Sequence, residues 1–362
     1  MPNTKGLKPN RHFNLFWQYP NQPQPAPASA CPYCHSREIS KRGQRRKKYE
    51  SIQLYLCQAC QKTFSDQIVK NKRYPLKVIL DALSLYNLGY SQSQACQLIK
   101  EKYGTNLRPS TLGNWVREFA TLLRYARLRP QAVKLYPPQQ TIRSFALRHR
   151  QVYYFRYHQA KLDLLLKSKE FIWFDALKTW LHAVKTDCPH QLFLSAERSS
   201  QASPDINLEQ VQIKHTTNNH ATRLARLALQ AVGHNRLRHE ALQQFMLAND
   251  SVTVAMEVPV YLEPADLEYF AQKQNFQIPF PINEPITGHI DLLQVRNGLI
   301  HILDYKPKAR TEKPYAQLLA YALALSRSTS LKLMDFKCAW FDEHDYFEFF
   351  PLHLIHKPGP KK

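Results

Sequence analysis

Two apolar runs flank Asn297-Gly298 in the stretch "HIDLLQVRNGLIHILDYKPK", residues 289–308. Asn-Gly favours the positive φ that a two-residue hairpin turn requires. Pairing Arg296 with Leu299 across that turn sets the register, which places Asp291 opposite Asp304. Side chains so opposed have Cβ atoms roughly 4.5–5.5 Å apart, so two carboxylates there repel unless a cation intervenes. Strand side chains alternate, so Lys306 shares a face with Asp304, Ile302 and Ile300. Downstream, Pro314 precedes the helical run "YAQLLAYALAL", in which Gln317 and Tyr321 are four apart and point the same way. Upstream, the helical run "HNRLRHEALQQFM" leads into a strand, "TVAMEVPVYL", that carries Glu257.

The N-terminal third has a different rhythm. Residues 75–123 show helical periodicity broken at Gly89 and Gly104. The pattern predicts helices over Pro75–Leu88, Ser93–Tyr103 and Ser110–Leu123, with Ser91 and Ser110 as N-caps. The third helix would bury Trp115, Val116 and Phe119 and expose Thr111, Asn114 and Arg117. Residues 126–225 are basic and aromatic, and we expect a helical connector there, either tracking DNA or serving as a platform for the C-terminal region. His182, His190, His215 and His220 fit no metal-ligand spacing and read as surface residues. The first thirty residues, rich in Pro, Gln and Ala, are expected to be an extended or disordered tail.

Charge separates these regions. The chain has a formal net charge of +22 and a pI of about 9.7, which points to a polyanionic partner. From Glu240 onward 12 Lys and Arg meet 15 Asp and Glu, against 38 and 13 before it. The basic surface therefore precedes the segment that carries the opposed carboxylates. No apolar run approaches the roughly 18 residues of a membrane span, and the N-terminus lacks a signal-peptide core. A cytoplasmic, nucleoid-associated protein is expected, with no membrane partner.

Cys31, Cys34, Cys57 and Cys60 form C-x2-C-x22-C-x2-C, a spacing close to that of four-thiolate structural zinc sites. Between the pairs lies "KRGQRRKKYE", with Arg45, Arg46, Lys47 and Lys48 at its centre. Such a run is a solvated loop, a nuclear localisation signal or a phosphate-contacting ribbon, and the last, with double-stranded DNA as partner, is favoured.

The C-terminal motifs together resemble the PD-(D/E)XK nuclease superfamily, and within it the RecB-type branch. The residues that carry the likeness are Gly288-His289-Ile290-Asp291, then Leu303-Asp304-Tyr305-Lys306, then Gln317 and Tyr321. The resemblance implies Asp291 and Asp304 as ligands of a catalytic Mg²⁺ or Mn²⁺, and Lys306 as the residue that assists the attacking water. It further implies Gln317 and Tyr321 as supporting or DNA-contacting groups, and an upstream helical histidine, His239 or else His234, as a further metal ligand. The cysteine segment is similar to the zinc ribbons that open many insertion-sequence transposases. Residues 75–123 resemble the helix-turn-helix of transposases and resolvases, with Thr111, Asn114 and Arg117 facing the major groove.

The expected fold class is therefore multidomain, with a tail (1–30), a small β zinc ribbon (31–68), an all-α helix-turn-helix (74–125), a basic helical connector (126–225) and a C-terminal α/β PD-(D/E)XK, restriction-endonuclease-like domain (226–362). These features imply a metal-dependent DNA endonuclease of a mobile element or genome-defence system. It would work with a transposase or other mobile-element proteins, and homodimerisation is left open. The rival reading is a DNA-binding regulator or transposition accessory protein with an inert nuclease fold. No Walker sequence is present, and no acidic triad of the strand-transfer type is evident.

Overall fold

The computed structural model describes residues 30–65, 67, 69, 71–167, 174–201, 211–232, 237–281 and 283–355. Residues 1–29 of the proposed tail and His234 fall outside them. The chain divides into two compact units: Met1–Ala120 with Arg226–Leu242, and Thr121–Ala225 with Gln243–Lys362.

The first unit opens with three antiparallel strands, β1 (Ile39–Arg46), β2 (Ser51–Cys57) and β3 (Thr63–Phe64). A bulge between Lys41 and Gly43 kinks β1, and Gly43 takes φ +123°, which a side chain would oppose. Tyr55 and Phe64 stack beneath the sheet beside Cys31 and Cys57, a core that four residues and a cross-link could close. Three helices follow: α1 (Leu76–Asn87), α2 (Gln92–Tyr103) and α3 (Pro109–Phe119). Ser91 caps α2 in a capping box with Gln94, and Gly104 ends it in the left-handed conformation. Ser110 does not cap α3. Arg108 occupies that position and Pro109 starts the helix, because a ring with fixed φ and no N–H suits the first turn.

The second unit corrects the expectation of a helical connector. After α4 (Arg129–Leu135), the segment forms a β-hairpin, β4 (Ile142–His149) and β5 (Gln151–His158), followed by α5 (Gln159–Leu166), α6 (Asp175–Asp187), the short α7 (Leu192–Ser195), β6 (Glu197–Arg198) and β7 (Lys214–Thr217). The stretch "IRSFALRHRQVYYFRYH" shows no clean apolar–polar alternation to mark the two strands. Its turn at Arg150, which adopts φ +64°, carries no glycine to announce it. Then come α8 (His220–Leu229) and α9 (Arg238–Asn249), of which residues 226–242 group with the first unit, followed by β8 (Thr253–Leu262), α10 (Pro264–Glu268), β9 (Ile286–Arg296), β10 (Leu299–Tyr305), α11 (Tyr315–Thr329), β11 (Phe336–Phe341), β12 (Asp345–Phe349) and α12 (Leu352–Ile355).

The strands join in one mixed sheet, ordered β4-β5-β8-β9-β10-β11-β12-β7, with β6 added alongside β9. All neighbours are antiparallel except β10–β11 and β6–β9. The parallel β10–β11 pair needs a crossover, and α11 supplies it, burying Leu318, Leu319, Ala322 and Leu323 in the core that Ile300, Ile302 and Trp340 also line. The sequence elements around Asp304 are thus held by a buried helix on one side and paired strands on both edges.

Candidate active site and metal centre

Asn297 and Gly298 take φ +53° and +71°, and β9 pairs with β10 from Arg296↔Leu299 to Leu292↔Leu303. The next pair in that register is Asp291 with Asp304, and there the ladder stops. In a continued ladder the Tyr305 N–H would be given to the carbonyl of residue 290. Instead the Asp291 side chain accepts it, Oδ2 lying 2.9 Å from the nitrogen. The strands part where the two carboxylates meet.

A second irregularity lies at the same point. Ile286 and Ile290 on β9 belong to the main core, and so do Leu293 and Val295. A period of two cannot put even and odd positions on one face, so the pleat reverses around Asp291–Leu292. The neighbouring strand does the same, with Ala255 and then Val258 and Val260 facing that core. Between Met256↔Leu292 and Val258↔Ile290, the register sets Glu257 across from Asp291. Glu257 has φ +50°, uncommon for a residue with a side chain and costly by about 1–3 kcal/mol. Its carboxylate accepts a hydrogen bond from Gln243 Nε2 on α9 at 2.8 Å. Three adjacent strands therefore carry Glu257, Asp291 and Asp304 in one row. The sequence pattern puts Glu257 on its strand and gives it no role, since a long connection separates β8 from β9.

Lys306 follows β10 by one residue. Its ammonium is 2.9 Å from Asp304 Oδ2 and donates to Gln317 Oε1 at 3.3 Å. Gln317 Nε2 reaches Asp304 Oδ1 at 3.5 Å and Tyr321 Oη at 2.8 Å. Four of the sequence-predicted residues, Asp304, Lys306, Gln317 and Tyr321, thus form one chain of contacts, with Asp291 beside it. Burial works against the charge of Lys306, but Asp304 and then Asp291 hold its pKa above the ordinary lysine value. The two carboxylates thus favour its charged form. Burial also raises the Tyr321 phenol far above its usual range, assisted by Asp304, and its oxygen accepts from Gln317 Nε2. Gly288 makes room for that ring, because a Cβ there would lie 2.4 Å from Tyr321 and 2.6 Å from the Ser199 hydroxyl.

The donor set fits a hard divalent cation. Asp304 is 2 % exposed, and carboxylate oxygens on neighbouring strands are the ligands that Mg²⁺ and Mn²⁺ take. His239, the other predicted ligand, lies in the first turn of α9, on the segment Arg226–Leu242 that groups with the first unit.

In the ribbon the four cysteines converge. Cys31 and Cys60 sulfurs are 3.6 Å apart, Cys34 and Cys57 3.5 Å, and all four lie within 4.8 Å of one another. Four thiolates at about 2.3 Å from a tetrahedral zinc would be separated by about 3.8 Å, so the cluster is consistent with a zinc site. Arg45, Arg46 and Lys48 are exposed, whereas Lys47 turns inward to Glu50 at 3.2 Å, Gln67 at 3.2 Å and the Lys72 carbonyl at 2.9 Å. On α3, Asn114 and Arg117 are exposed and hydrogen-bonded to each other, and Thr111 is half-buried. Leu112, Trp115 and Phe119 form the buried side, and Val116 is only half-buried.

Residues 180–345 match the PD-(D/E)XK nuclease superfamily. This stretch, which includes Asp291, Asp304, Lys306, Gln317 and Tyr321, is a PD-(D/E)XK nuclease superfamily domain. Neither a curated protein nor a solved structure matches the chain. No helix among the described residues is long and apolar enough to cross a membrane.

Proposed function

We propose that this protein is a DNA-binding, divalent-metal-dependent endonuclease that hydrolyses phosphodiester bonds in a mobile element or a genome-defence system. The observation that carries the reading is the convergence of Asp291, Asp304 and a charged Lys306 where the β9–β10 ladder opens. Asp291 and Asp304 would hold Mg²⁺ or Mn²⁺. Such an ion, when bound, lowers the pKa of a coordinated water and neutralises charge on the phosphate. Lys306 cannot accept a proton from that water while it is an ammonium. Its part is to orient the water and to stabilise the charge that builds on the phosphoryl oxygens. Gln317 fixes Lys306 and Asp304 relative to each other, and Tyr321 holds Gln317 from behind.

Grip would come from the N-terminal unit. Arg45, Arg46 and Lys48 neutralise phosphates, while Asn114, Arg117 and Thr111 read base edges in the major groove. Zinc in the ribbon, with its four sulfurs closed around the ion, would maintain the fold and take no part in hydrolysis. Partners on this reading are double-stranded DNA and a transposase or similar protein that performs strand transfer. The test is plasmid nicking by the full chain. Cleavage should require added Mg²⁺ or Mn²⁺ and stop on chelation. Binding without cleavage under every divalent cation would favour the inert regulator instead.

A further inference from the structure

The second unit holds another group of ligand-type side chains. His149 ends β4, and Cys188 and His190 follow α6. The ligand atoms of these three all lie within 4.8 Å of one another. Their positions follow from local structure. Pro189 cannot extend α6, so Cys188 leaves the helix in extended conformation as its C-cap. The His190 N–H then bonds the Cys188 carbonyl at 2.8 Å, closing a tight turn that brings both side chains to one side. His149 is fixed from the other direction. Phe193 stacks on its ring at 3.9 Å and 16°, and Arg150 ties the hairpin tip to the carbonyls of Leu194 and Ala196.

His149 uses both ring nitrogens. Nε2 lies 2.8 Å from His190 Nδ1, and Nδ1 lies 2.8 Å from His289 Nε2. Three neutral imidazoles donating in sequence would account for those two distances. They would not account for Cys188, whose sulfur makes no hydrogen bond among the described residues although it sits against two imidazole nitrogens. A cation between the three does account for it. We propose that His149 Nε2, His190 Nδ1 and Cys188 Sγ bind one zinc ion, separate from the four-cysteine site and from the nuclease carboxylates.

Imidazole nitrogen with thiolate is a donor set that suits zinc, and three protein ligands leave a fourth position for water. Bonds of about 2.0–2.1 Å in a tetrahedron put two nitrogens about 3.3 Å apart. The His149–His190 pair therefore opens by about half an ångström on binding, within reach of side-chain rotation. Cys188 releases its thiol proton to solvent as the ion enters. His149 is 1 % exposed, while Cys188 and His190 are part-exposed and offer the route in.

His289 completes the arrangement. Zinc-bound imidazoles are held by a partner on the other ring nitrogen, and His149 Nδ1–H would donate to His289 Nε2. His289 in turn stacks on Tyr153 at 3.7 Å and 8°. It stands on β9 two residues before Asp291. The ion would thus join the β4–β5 hairpin and the end of α6 to the strand that carries the nuclease aspartate, holding that strand where it leaves its ladder.

The test is zinc content of the full-length protein after dialysis against a weak chelator. Two zinc ions per chain are expected. His190→Ala and Cys188→Ser should each leave one, and Cys57→Ser should also leave one, by loss of the other site. His190→Cys should retain two, since it replaces one ligand with another. One ion per chain in the wild-type protein, or two in His190→Ala, would overturn the proposal. Should the variants fail to fold, X-ray absorption at the zinc edge on wild-type protein decides. Mixed nitrogen and sulfur ligation is expected, and an all-sulfur shell contradicts the second site.

Discussion

The ribbon and the nuclease sheet use charged residues in opposite ways. In the ribbon, Arg45, Arg46 and Lys48 are exposed, while Lys47 is held by Glu50 and the Lys72 carbonyl. In the sheet, Asp304 is buried, with Lys306 against one carboxylate oxygen and Gln317 near the other. Exposed charges act at a distance and are interchangeable, which suits a surface that neutralises phosphates without regard to sequence. Buried ones act only at the place the backbone fixes, which suits chemistry. The contrast predicts that substitutions in the sheet remove an all-or-none property, while those in the ribbon change a graded one.

The largest effects should come from the sheet. Asp291→Ala and Lys306→Ala should each lower cleavage by about 10³-fold or more, since the ligand and the fixed cation each supply several kcal/mol to the transition state. The measurement is single-turnover cleavage of a labelled duplex at saturating protein, and retention of more than a tenth of the wild-type rate would break the assignment. Cys57→Ser comes next. It should release the ribbon zinc and weaken duplex binding, and a gel-shift titration with metal analysis would show both losses together.

Smaller effects sharpen the division. Replacing Arg45, Arg46 and Lys48 with Ala should reduce the slope of log K against log salt by about 2.7, at about 0.9 per phosphate contact. Lys47→Ala should leave that slope nearly unchanged, because its ammonium is bound to Glu50, Gln67 and Lys72. Gly288→Ala should cost about 1–3 kcal/mol by crowding Tyr321 and Ser199, read as a lower denaturant midpoint. Asn114→Ala should change affinity least on random DNA and most on the preferred site, at about 1–3 kcal/mol.

What could be read in advance depended on how local the determinant was. Asn297-Gly298 fixes the β9–β10 register in two adjacent residues, so the opposition of Asp291 and Asp304 followed by counting. The paired C-x-x-C motifs were legible for the same reason. The helices of the first unit matched their apolar period within one or two residues at their starts, except that Pro109 displaced Ser110 from the cap. The β4–β5 hairpin was missed because its basic and aromatic residues blur the alternation and Arg150 makes the turn without glycine. Glu257 and Asp291 become neighbours only through the β8–β9 pairing, and His149 meets Cys188 and His190 only through the packing of α7 on the hairpin. No spacing rule along the chain brings those residues together.

The central claim is that binding and cutting reside in different residues of one protein, and Asp304→Ala examines it most directly. Plasmid nicking with Mn²⁺ and duplex binding would be measured side by side on wild-type and variant full-length protein. The account predicts that Asp304→Ala abolishes nicking while its affinity and salt slope stay at wild-type values. Nicking at the wild-type rate, or loss of binding in step with loss of cleavage in a folded variant, would contradict it.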